Sequence, residues 1–519
     1  MTPAQERTLA RLVSSQWRNL RNIQRVYVDG ASLNLANLTA VAKGQAVASL
    51  IENHKLIEKV DASVDVLHKR LSNGETVYGV NTGYGGSADV RCEPHQMYTM
   101  QQALLQLQHT GILPVPSSDG HVTFHSNTIA STLQERWVRA AMLIRANSVV
   151  RGHSAVRGTT IKTLLTLLDH DIIPLIPTRG SISASGDLQP LSYIAGLLEG
   201  NPGIYCWIGL EGNRRIVTAS KALQSIELPP THFGPKEALG LVNGTAISCA
   251  IGAMTLNAMN SLFALSQLLT AMNVEAVLGT ATSFAPFISQ VRPHPGQAEV
   301  ASTILSALKG SKLASPVLSD HAGGHTLFQD RYSLRTVPQW LGPFAEDLLL
   351  ANKQIEVEMN STTDNPLIDP ETGDIYHGGN FQAVSVTSAM EKTRLAAQAV
   401  GRMLFAQFTE MVNHATNRGL PPNLSADEPS TSFTLKGVDI NMAAYMSELG
   451  FLANPVHSHV QIAEMGNQSL NSLALISARY TDQSVEILTM MCAATLYGVC
   501  QALDLRAMIH DFEVQFKRR

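Results

Sequence analysis

Ala184-Ser185-Gly186 sits inside a small, nearly uncharged stretch that runs from Gly180 to Ser192 and is bounded by Pro174, Pro177 and Pro190. In a tight turn the amide nitrogen of Gly186 can reach the carbonyl carbon of Ala184. Gly has no Cβ to block the approach, and Ala is nearly as small. Ring closure with loss of two waters gives a five-membered imidazolone. The Ser185 hydroxyl leaves as water and its Cβ becomes an exocyclic methylene, so the chain makes a strong electrophile from itself. A backbone held in that shape needs a scaffold that over-determines it. A plain Gly/Ser turn between two elements accounts for the same residues without chemistry.

Longer motifs favour the chemical reading. Ala184-Ser185-Gly186-Asp187-Leu188, followed by Pro190-Leu191-Ser192-Tyr193-Ile194-Ala195-Gly196, resembles the methylidene-imidazolone (MIO) segment of the aromatic amino-acid ammonia-lyases and aminomutases. The resemblance runs from about Asp29 to about Arg506. The spelling of Val77-Tyr78-Gly79-Val80, Ser447-Glu448-Leu449-Gly450 and Ala463-Glu464-Met465-Gly466-Asn467-Gln468 is nearest to the fungal phenylalanine lyases of that family. The plant and fungal members carry a further C-terminal insertion that these 519 residues do not include.

Elimination of ammonia from an α-amino acid meets two obstacles. The amine is a poor leaving group and the β-proton is barely acidic. An electrophile answers the first and a positioned base the second. The resemblance implies MIO, formed autocatalytically from Ala184, Ser185 and Gly186, with no external cofactor. It implies that Tyr78, on a loop with five glycines between Gly74 and Gly86, is the base. A free phenol titrates near about 10, so its anion must be stabilised by nearby donors or positive charge. The Gly-rich loop lacks a Gly-Lys-Ser/Thr and a strand–helix frame, which excludes a nucleotide loop.

Further roles follow from the resemblance. Asn243, in Asn243-Gly244-Thr245, hydrogen-bonds the imidazolone; by itself it reads as a turn at a helix start. In Gln329-Asp330-Arg331-Tyr332-Ser333-Leu334-Arg335, Tyr332 helps to form and polarise the ring. Arg335 grips the substrate carboxylate, a task that suits a planar fork of donors. A surface charge cluster explains Asp330 and Arg331 but does not require the spacing of Gln329, Tyr332 and Arg335. Asn365 contacts the substrate's polar end, and Phe381 packs on the ring. Glu464 lies by the substrate amine, with Asn467 and Gln468 in the polar network; the three are expected within one helical turn, on one side. Lys436 and Ile440, spaced i, i+4, share a helix face and match pocket-lining positions, as does Leu188. Leu107 and Gln108 match the pair associated with substrate choice. Leu107 is apolar and cannot hydrogen-bond a phenolic hydroxyl, which points to L-phenylalanine giving trans-cinnamate, with tyrosine weaker. An alignment slip of two would put His109 there instead.

Two other outcomes share these residues. A phenylalanine 2,3-aminomutase re-adds the amine at the β-carbon, and a tyrosine ammonia-lyase differs only in the aryl end. A non-catalytic helical scaffold does not explain the complete set of Tyr78, Ala184-Ser185-Gly186, Asn243, Tyr332 and Arg335. His321 and His325 have metal-ligand spacing, but Gly323 and Gly324 lie between them without a third ligand. No metal is expected.

The elements that must position these groups are long. The chain is 45% hydrophobic and 15% charged, ample for a large core and sparing of charged surface. A formal net charge of −4 makes no case for nucleic acid. Five widely spaced cysteines without a Cys-x-x-Cys read as reduced thiols in a cytoplasmic protein. The N-terminus has no apolar signal core. Ala238 to Val274 contains no Asp, Glu, Lys or Arg, but Asn and Gln interrupt it, so a buried bundle helix is expected rather than a membrane span. The pattern predicts a mainly α protein: a loosely held arm over 1–30, an MIO-bearing domain over 31–244 and a helical core domain over 245–519. Helices are expected from Leu33 to Leu71, Met97 to Gln108, 127 to 170, and at 238–280, 296–310, 340–360, 381–413, 438–453 and 460–506, with a short strand pair at 204–217. The family has the fumarase/aspartase-like long-helix architecture and forms homotetramers with active sites shared between subunits.

Overall fold

The structure, a computed structural model, describes residues 8–113, 131–209, 213–314 and 329–518. The elements in chain order are α1 (Leu9–Leu20), β1 (Arg25–Val28), α2 (Leu35–Ala42), β2 (Val47–Leu50), α3 (His54–Ser72), α4 (Met97–Gln108), α5 (Glu135–Val149), α6 (Gly158–Asp169), β3 (Ile173–Pro174), α7 (Leu188–Leu198), β4 (Tyr205–Ile208) and β5 (Arg215–Thr218). They continue with α8 (Ala219–Ser225), α9 (Glu237–Val242), α10 (Ala246–Ala276), α11 (Pro286–Val291), α12 (Pro295–Ala307), α13 (Tyr332–Arg335), α14 (Val337–Met359), β6 (Leu367–Ile368), β7 (Ile375–Tyr376), α15 (Val384–Val412), α16 (Lys436–Leu452) and α17 (Ala474–Arg518).

Helix α10 is the axis of the bundle. It packs against α5, α14, α15 and α17. Residues 237–276 are long and apolar enough to cross a membrane, yet their most apolar 18-residue stretch is wholly buried inside the protein. A helix apolar on every side is stable only when neighbours cover every side. Those neighbours are the other long helices. One hydrophobic cluster runs from Leu9 through α10 to Leu505, so the two expected domains share a core. The boundary expected at 244 falls in the Asn243–Thr245 junction between α9 and α10.

A second, smaller cluster of Leu67, Val77, Val80, Met97, Ala155 and Ile368 lies under the tyrosine loop. Val77 and Val80 are 2% and 0% exposed. Burying each stabilises by about 1.5–3 kcal/mol. The loop is therefore nailed down on both sides of Tyr78 while its phenol faces the other way.

Several elements differ from the expected pattern. Residues 8–30 are not a loose arm. Thr8 caps α1, the carboxylate of Glu299 accepts from the Leu9 and Ala10 amides, and Trp17 Nε1 donates to Ser261 Oγ. Buried Leu9 and Val13 supply the apolar grip. The run from Leu33 to Leu71 is two helices separated by β2, which pairs in parallel with β1, Arg25 opposite Val47. Parallel pairing between distant strands leaves no local period to read. The 127–170 run splits at residues 150–157 into α5 and α6. The strand pair near 204–217 is present as β4–β5 and is extended by β3. Helix α17 begins at Ala474 rather than near 460.

Candidate active site

The Ser185 turn is held from two sides. From below, Leu473 and Ser472 donate their amides to the carbonyls of Ile182 and Ser183 at 3.0 and 3.2 Å. Ser472 Oγ adds a bond to the Ser183 carbonyl at 2.7 Å. Ser183 is thereby kept at φ 47°, a left-handed value costly for a serine. From the other side, the Asp187 amide donates to the Gly244 carbonyl at 2.7 Å. Gly186 lies at φ 70°, and a Cβ there would collide with the same Gly244 carbonyl. Only glycine lets the chain pass at this point.

Asp187, fully buried, ties the turn to the first turn of α10. Its carboxylate accepts from the Ser248 amide at 2.7 Å, from Ser248 Oγ at 2.9 Å and from Ser183 Oγ at 3.1 Å. Burial pushes its pKa up to about 6 despite these donors.

A cavity of about 310 Å³ opens over Ser185. Asn243, the C-terminal cap of α9, donates from Nδ2 to the Ser185 carbonyl at 3.0 Å. Its Oδ1 is buried without a partner. Gln468 Nε2 donates to Ser185 Oγ at 3.3 Å. Across the cavity, Tyr78 Oη accepts from the Gly85 amide at 2.8 Å. Burial raises the phenol's pKa most, the Gly85 amide lowers it, and the Glu464 charge raises it again.

Glu464 closes the same wall. Its carboxylate accepts from the Gly86 amide and from Asn467 Nδ2, each at 2.8 Å. Gly85, at φ 53°, lies so close that a Cβ there would collide with the Glu464 carboxylate. Glu464, Asn467 and Gln468 do converge, but not on a helix. Glu464 and Met465 have φ of 52° and 58°, and Ala463 pairs with Gln468 in an isolated bridge. This tight turn, not helical periodicity, puts the three side chains on one side.

Leu107, Gln108, Leu188, Asn365 and Phe381 line the cavity as well. Asn365 Oδ1 accepts from the Gly378 amide at 2.8 Å, which fixes the plane of its amide. His109 is turned away: its ring lies 2.8 Å from the Ser192 carbonyl and tilts against Tyr193. It therefore does not substitute for Leu107 in the lining.

Besides Ala184 and Gly186, which flank Ser185 in the turn, five expected residues lie outside this cavity. Gln329, Tyr332 and Arg335 belong to the α13 segment, where Tyr332 is 73% exposed and the Arg335 guanidinium stacks 4.5 Å from its ring centre. Lys436 and Ile440 open α16, and Ile440 is 66% exposed. The α13 segment is firmly seated. Asp330, 5% exposed rather than part of a surface cluster, accepts from the Thr280 amide at 2.7 Å and pairs with Arg418 at 3.0 Å. Ser333 Oγ donates to Glu410. On this fixed base Gln329 and Tyr332 are exposed, while Arg335 is half-buried and its Nε is buried without a partner.

Tyr84, Gly85, Ala88, Leu104 and Leu239 also line the cavity and were not expected from the sequence. Leu104 was readable, since it lies one helical turn before Leu107 and Gln108 on the same face. Tyr84 donates to the Met100 carbonyl at 3.0 Å and accepts from Gln101 Nε2 at 3.2 Å, which braces the loop after Tyr78 against α4. Burial raises its pKa. His321 and His325 lie outside the described residues. Among the described residues no group of three His, Cys, Asp or Glu is placed to hold a metal ion.

The family model for aromatic amino acid lyase matches residues 33–515. The chain is 53% identical over 491 residues to a phenylalanine ammonia-lyase of Aspergillus hancockii, covering 94% of this chain and 69% of that protein. It is 52% identical over 482 residues to a phenylalanine aminomutase (L-beta-phenylalanine forming) of Talaromyces islandicus, covering 93% and 67%. The crystal structure of phenylalanine ammonia-lyase from Rhodosporidium toruloides superposes with a TM-score of 0.88 at 43% identity, covering 98% of this chain and 74% of that one. A match that runs through the Ser185 turn, the Tyr78 loop and the whole helical bundle leaves one assignment: the chain belongs to the aromatic amino acid lyase family.

Proposed function

We propose that the protein deaminates L-phenylalanine without oxidation, giving trans-cinnamate and ammonia. One observation carries the reading: the Ser185 turn, its carbonyl held by Asn243, shares a cavity with the Tyr78 phenol. The relatives' names point the same way.

The turn fits an imidazolone. Gly186 is free of the side chain that would block ring closure, and Ala184 beside it is small and 6% exposed. The Ser185 carbonyl, which would become the ring oxygen, already has a donor in Asn243. Gln468 faces Ser185 Oγ, the group lost as water. Once formed, MIO supplies the electrophile that makes the amine a competent leaving group.

The chain's own residues do the rest. Tyr78 takes the β-proton. The C–H electron pair becomes the new double bond, and the C–N pair leaves with ammonia. The Gly85 amide supports the phenolate that must be present to accept that proton, against the burial that raises the phenol's pKa. The carboxylate of Glu464 stands near the departing amine. Leu104, Leu107, Leu188 and Leu239 line the cavity and would pack the aryl ring and exclude water, and Phe381, on the same lining, would pack on the imidazolone. Asn365 orients the polar end.

Gln329, Tyr332, Arg335, Lys436 and Ile440 act at the site of another copy in a homotetramer. The exposure of Gln329, Tyr332, Lys436 and Ile440, with Arg335 beside Tyr332, supports this. So does the open groove of Phe451, Leu452, Ile487 and Met490 between α16 and α17, where Phe451 is 75% exposed. A second long helix of another copy would cover that apolar face. A cytoplasmic location goes with the reading, since five widely spaced cysteines without a Cys-x-x-Cys suit a reducing compartment.

A phenylalanine aminomutase is the second reading, favoured by the Talaromyces islandicus relative. It would use the same residues and return the amine to the β-carbon. A tyrosine ammonia-lyase fits less well, because Leu107 offers a phenol no partner. Product analysis with ring-labelled phenylalanine and tyrosine tests all three. Cinnamate and free ammonia are expected. β-Phenylalanine as the main product overturns the lyase reading, and coumarate formed faster than cinnamate overturns the substrate.

A further inference from the structure

Behind the cavity wall lies a cluster of charge that no step above uses. Lys236, Asp364 and Arg145 are each 0–1% exposed. Lys236 Nζ donates to Asp364 Oδ2 at 2.6 Å and to the Ser154 carbonyl at 3.2 Å. Arg145 donates to the Thr363 carbonyl at 2.9 Å, to Thr363 Oγ1 at 3.3 Å and to the Gly240 carbonyl. Two cations and a carboxylate removed from water are costly in a core, and well-packed apolar residues would usually serve stability as well or better. Their presence needs another reason.

The reason is where the ends of the pair are attached. Lys236 caps the start of α9 in a left-handed conformation, φ 70°. That six-residue helix ends at Asn243. Asp364 precedes Asn365, and its other oxygen, Oδ1, accepts from the Asn365 amide at 2.7 Å. Arg145 repeats the link one layer along. It joins Gly240, inside α9, to Thr363, and Thr363 Oγ1 also accepts from the Thr245 amide at 3.4 Å. The two segments that carry Asn243 and Asn365 are thus bolted together by directional, charge-assisted bonds rather than by apolar contact alone. Apolar packing tolerates sliding, whereas a buried ion pair with short bonds does not.

We infer that Lys236 and Asp364 are positioning residues, whose ion pair sets the placement of Asn365 relative to Asn243 on the cavity wall. The inference rests on the reading that Asn365 contacts substrate. A misplacement of about 1 Å at such a contact costs about 10²-fold in turnover.

Exchange of the whole pair separates placement from stability. K236M/D364L removes both charges of the pair and the acceptor for the Asn365 amide, while Arg145 keeps its bonds to the Thr363 and Gly240 carbonyls. The variant is expected to keep its melting temperature within a few degrees and to keep an intact mass two waters below the sequence mass. Its kcat should fall about 10²-fold with a smaller change in KM. D364N, which keeps an acceptor for the Asn365 amide but breaks the ion pair, should also lower kcat, and it decides the matter if K236M/D364L does not fold. The same exchange in an N365A background should cost little more than N365A alone. Wild-type kcat in K236M/D364L overturns the inference. So do full sequence mass in the folded variant, equal losses with and without Asn365, or wild-type kcat in D364N. N365A measured alone keeps the two readings apart, since undiminished turnover there refutes the role of Asn365 itself.

Discussion

The Tyr78 hydroxyl accepts a hydrogen bond from the Gly85 amide seven residues along the same loop, at 2.8 Å. The acceptor is the oxygen that must carry a negative charge when Tyr78 acts as a base. One amide works against burial and the nearby Glu464 charge, both of which favour the neutral phenol. The raised pKa means that the base form grows as pH rises. kcat/KM for phenylalanine should therefore climb on the alkaline side of neutrality, and Tyr78→Phe should abolish that limb. The substitution should lower kcat by about 10²–10⁴-fold while the melting temperature stays near wild type, because the core below the loop is built from Val77 and Val80. Near-normal turnover in the variant would remove Tyr78 from the mechanism.

Ser185→Ala removes the only source of the methylene carbon. The intact mass of wild type should lie two waters below the sequence mass, and that of the variant should not. Asn243 and Gln468 keep their places on neighbouring elements, so the variant should fold and assemble. An active wild type at full sequence mass would refute the prosthetic group.

Tyr78 and Arg335 lie apart in one chain, the first lining the cavity and the second on α13 outside it, stacked on Tyr332. Tyr78→Phe and Arg335→Gln should each be nearly inactive as pure proteins. Co-expressed, they should recover activity, because a site that draws Tyr78 from one copy and Arg335 from another can be wild type in both. Arg335→Lys should be less impaired than Arg335→Gln, keeping charge but losing the fork, with a charge-assisted bond contributing about 1.5–3 kcal/mol. Mixtures no more active than their parents would mean that each chain builds its own site.

Leu107→His should shift preference from phenylalanine toward tyrosine. An apolar wall leaves a phenolic hydroxyl without a partner, at a cost of about 1–3 kcal/mol. An imidazole at the end of α4 removes that cost and is left unpaired when phenylalanine binds, so both effects move the ratio of kcat/KM one way. His109 cannot mask the result, since it is engaged with Ser192 and Tyr193. An unchanged tyrosine-to-phenylalanine ratio would mean that Leu107 does not face the ring.

Asp187 makes a stability prediction with a definite sign. Its carboxyl titrates near 6 in the fold against 3.8 unfolded. The fold therefore binds the proton more tightly, and the stability this contributes is complete below about pH 4 and lost as pH rises through about 6. Two pKa units correspond to about 3 kcal/mol. The unfolding free energy of wild type should fall relative to Asp187→Asn over that window. A difference that does not vary with pH would show that Asp187 is not titrating there.

What could be read of the site from the sequence came through the resemblance, which rests on short local motifs. The Ala184-Ser185-Gly186 turn and the loop around Tyr78 are short contiguous motifs; the glycines alone mark a loop, and the resemblance supplies the roles. Helix α4 runs from Met97 to Gln108 as its pattern predicts, which places Leu107 and Gln108 at its end. What the tertiary structure decided is how separate segments meet. Glu464, Asn467 and Gln468 converge through a left-handed turn that closes on Gly85, Gly86 and Ser185, contacts about 280 to 380 residues away in the chain. No helical period encodes that. The docking of α1 on Glu299 and Ser261 and the parallel β1–β2 pair are equally non-local. The Lys236–Asp364 bond spans 128 residues. Sequence periodicity reports which face of an element avoids water. It carries no information about which distant backbone amide, carbonyl or buried charge that face will find, and those directional partners hold this cavity in shape.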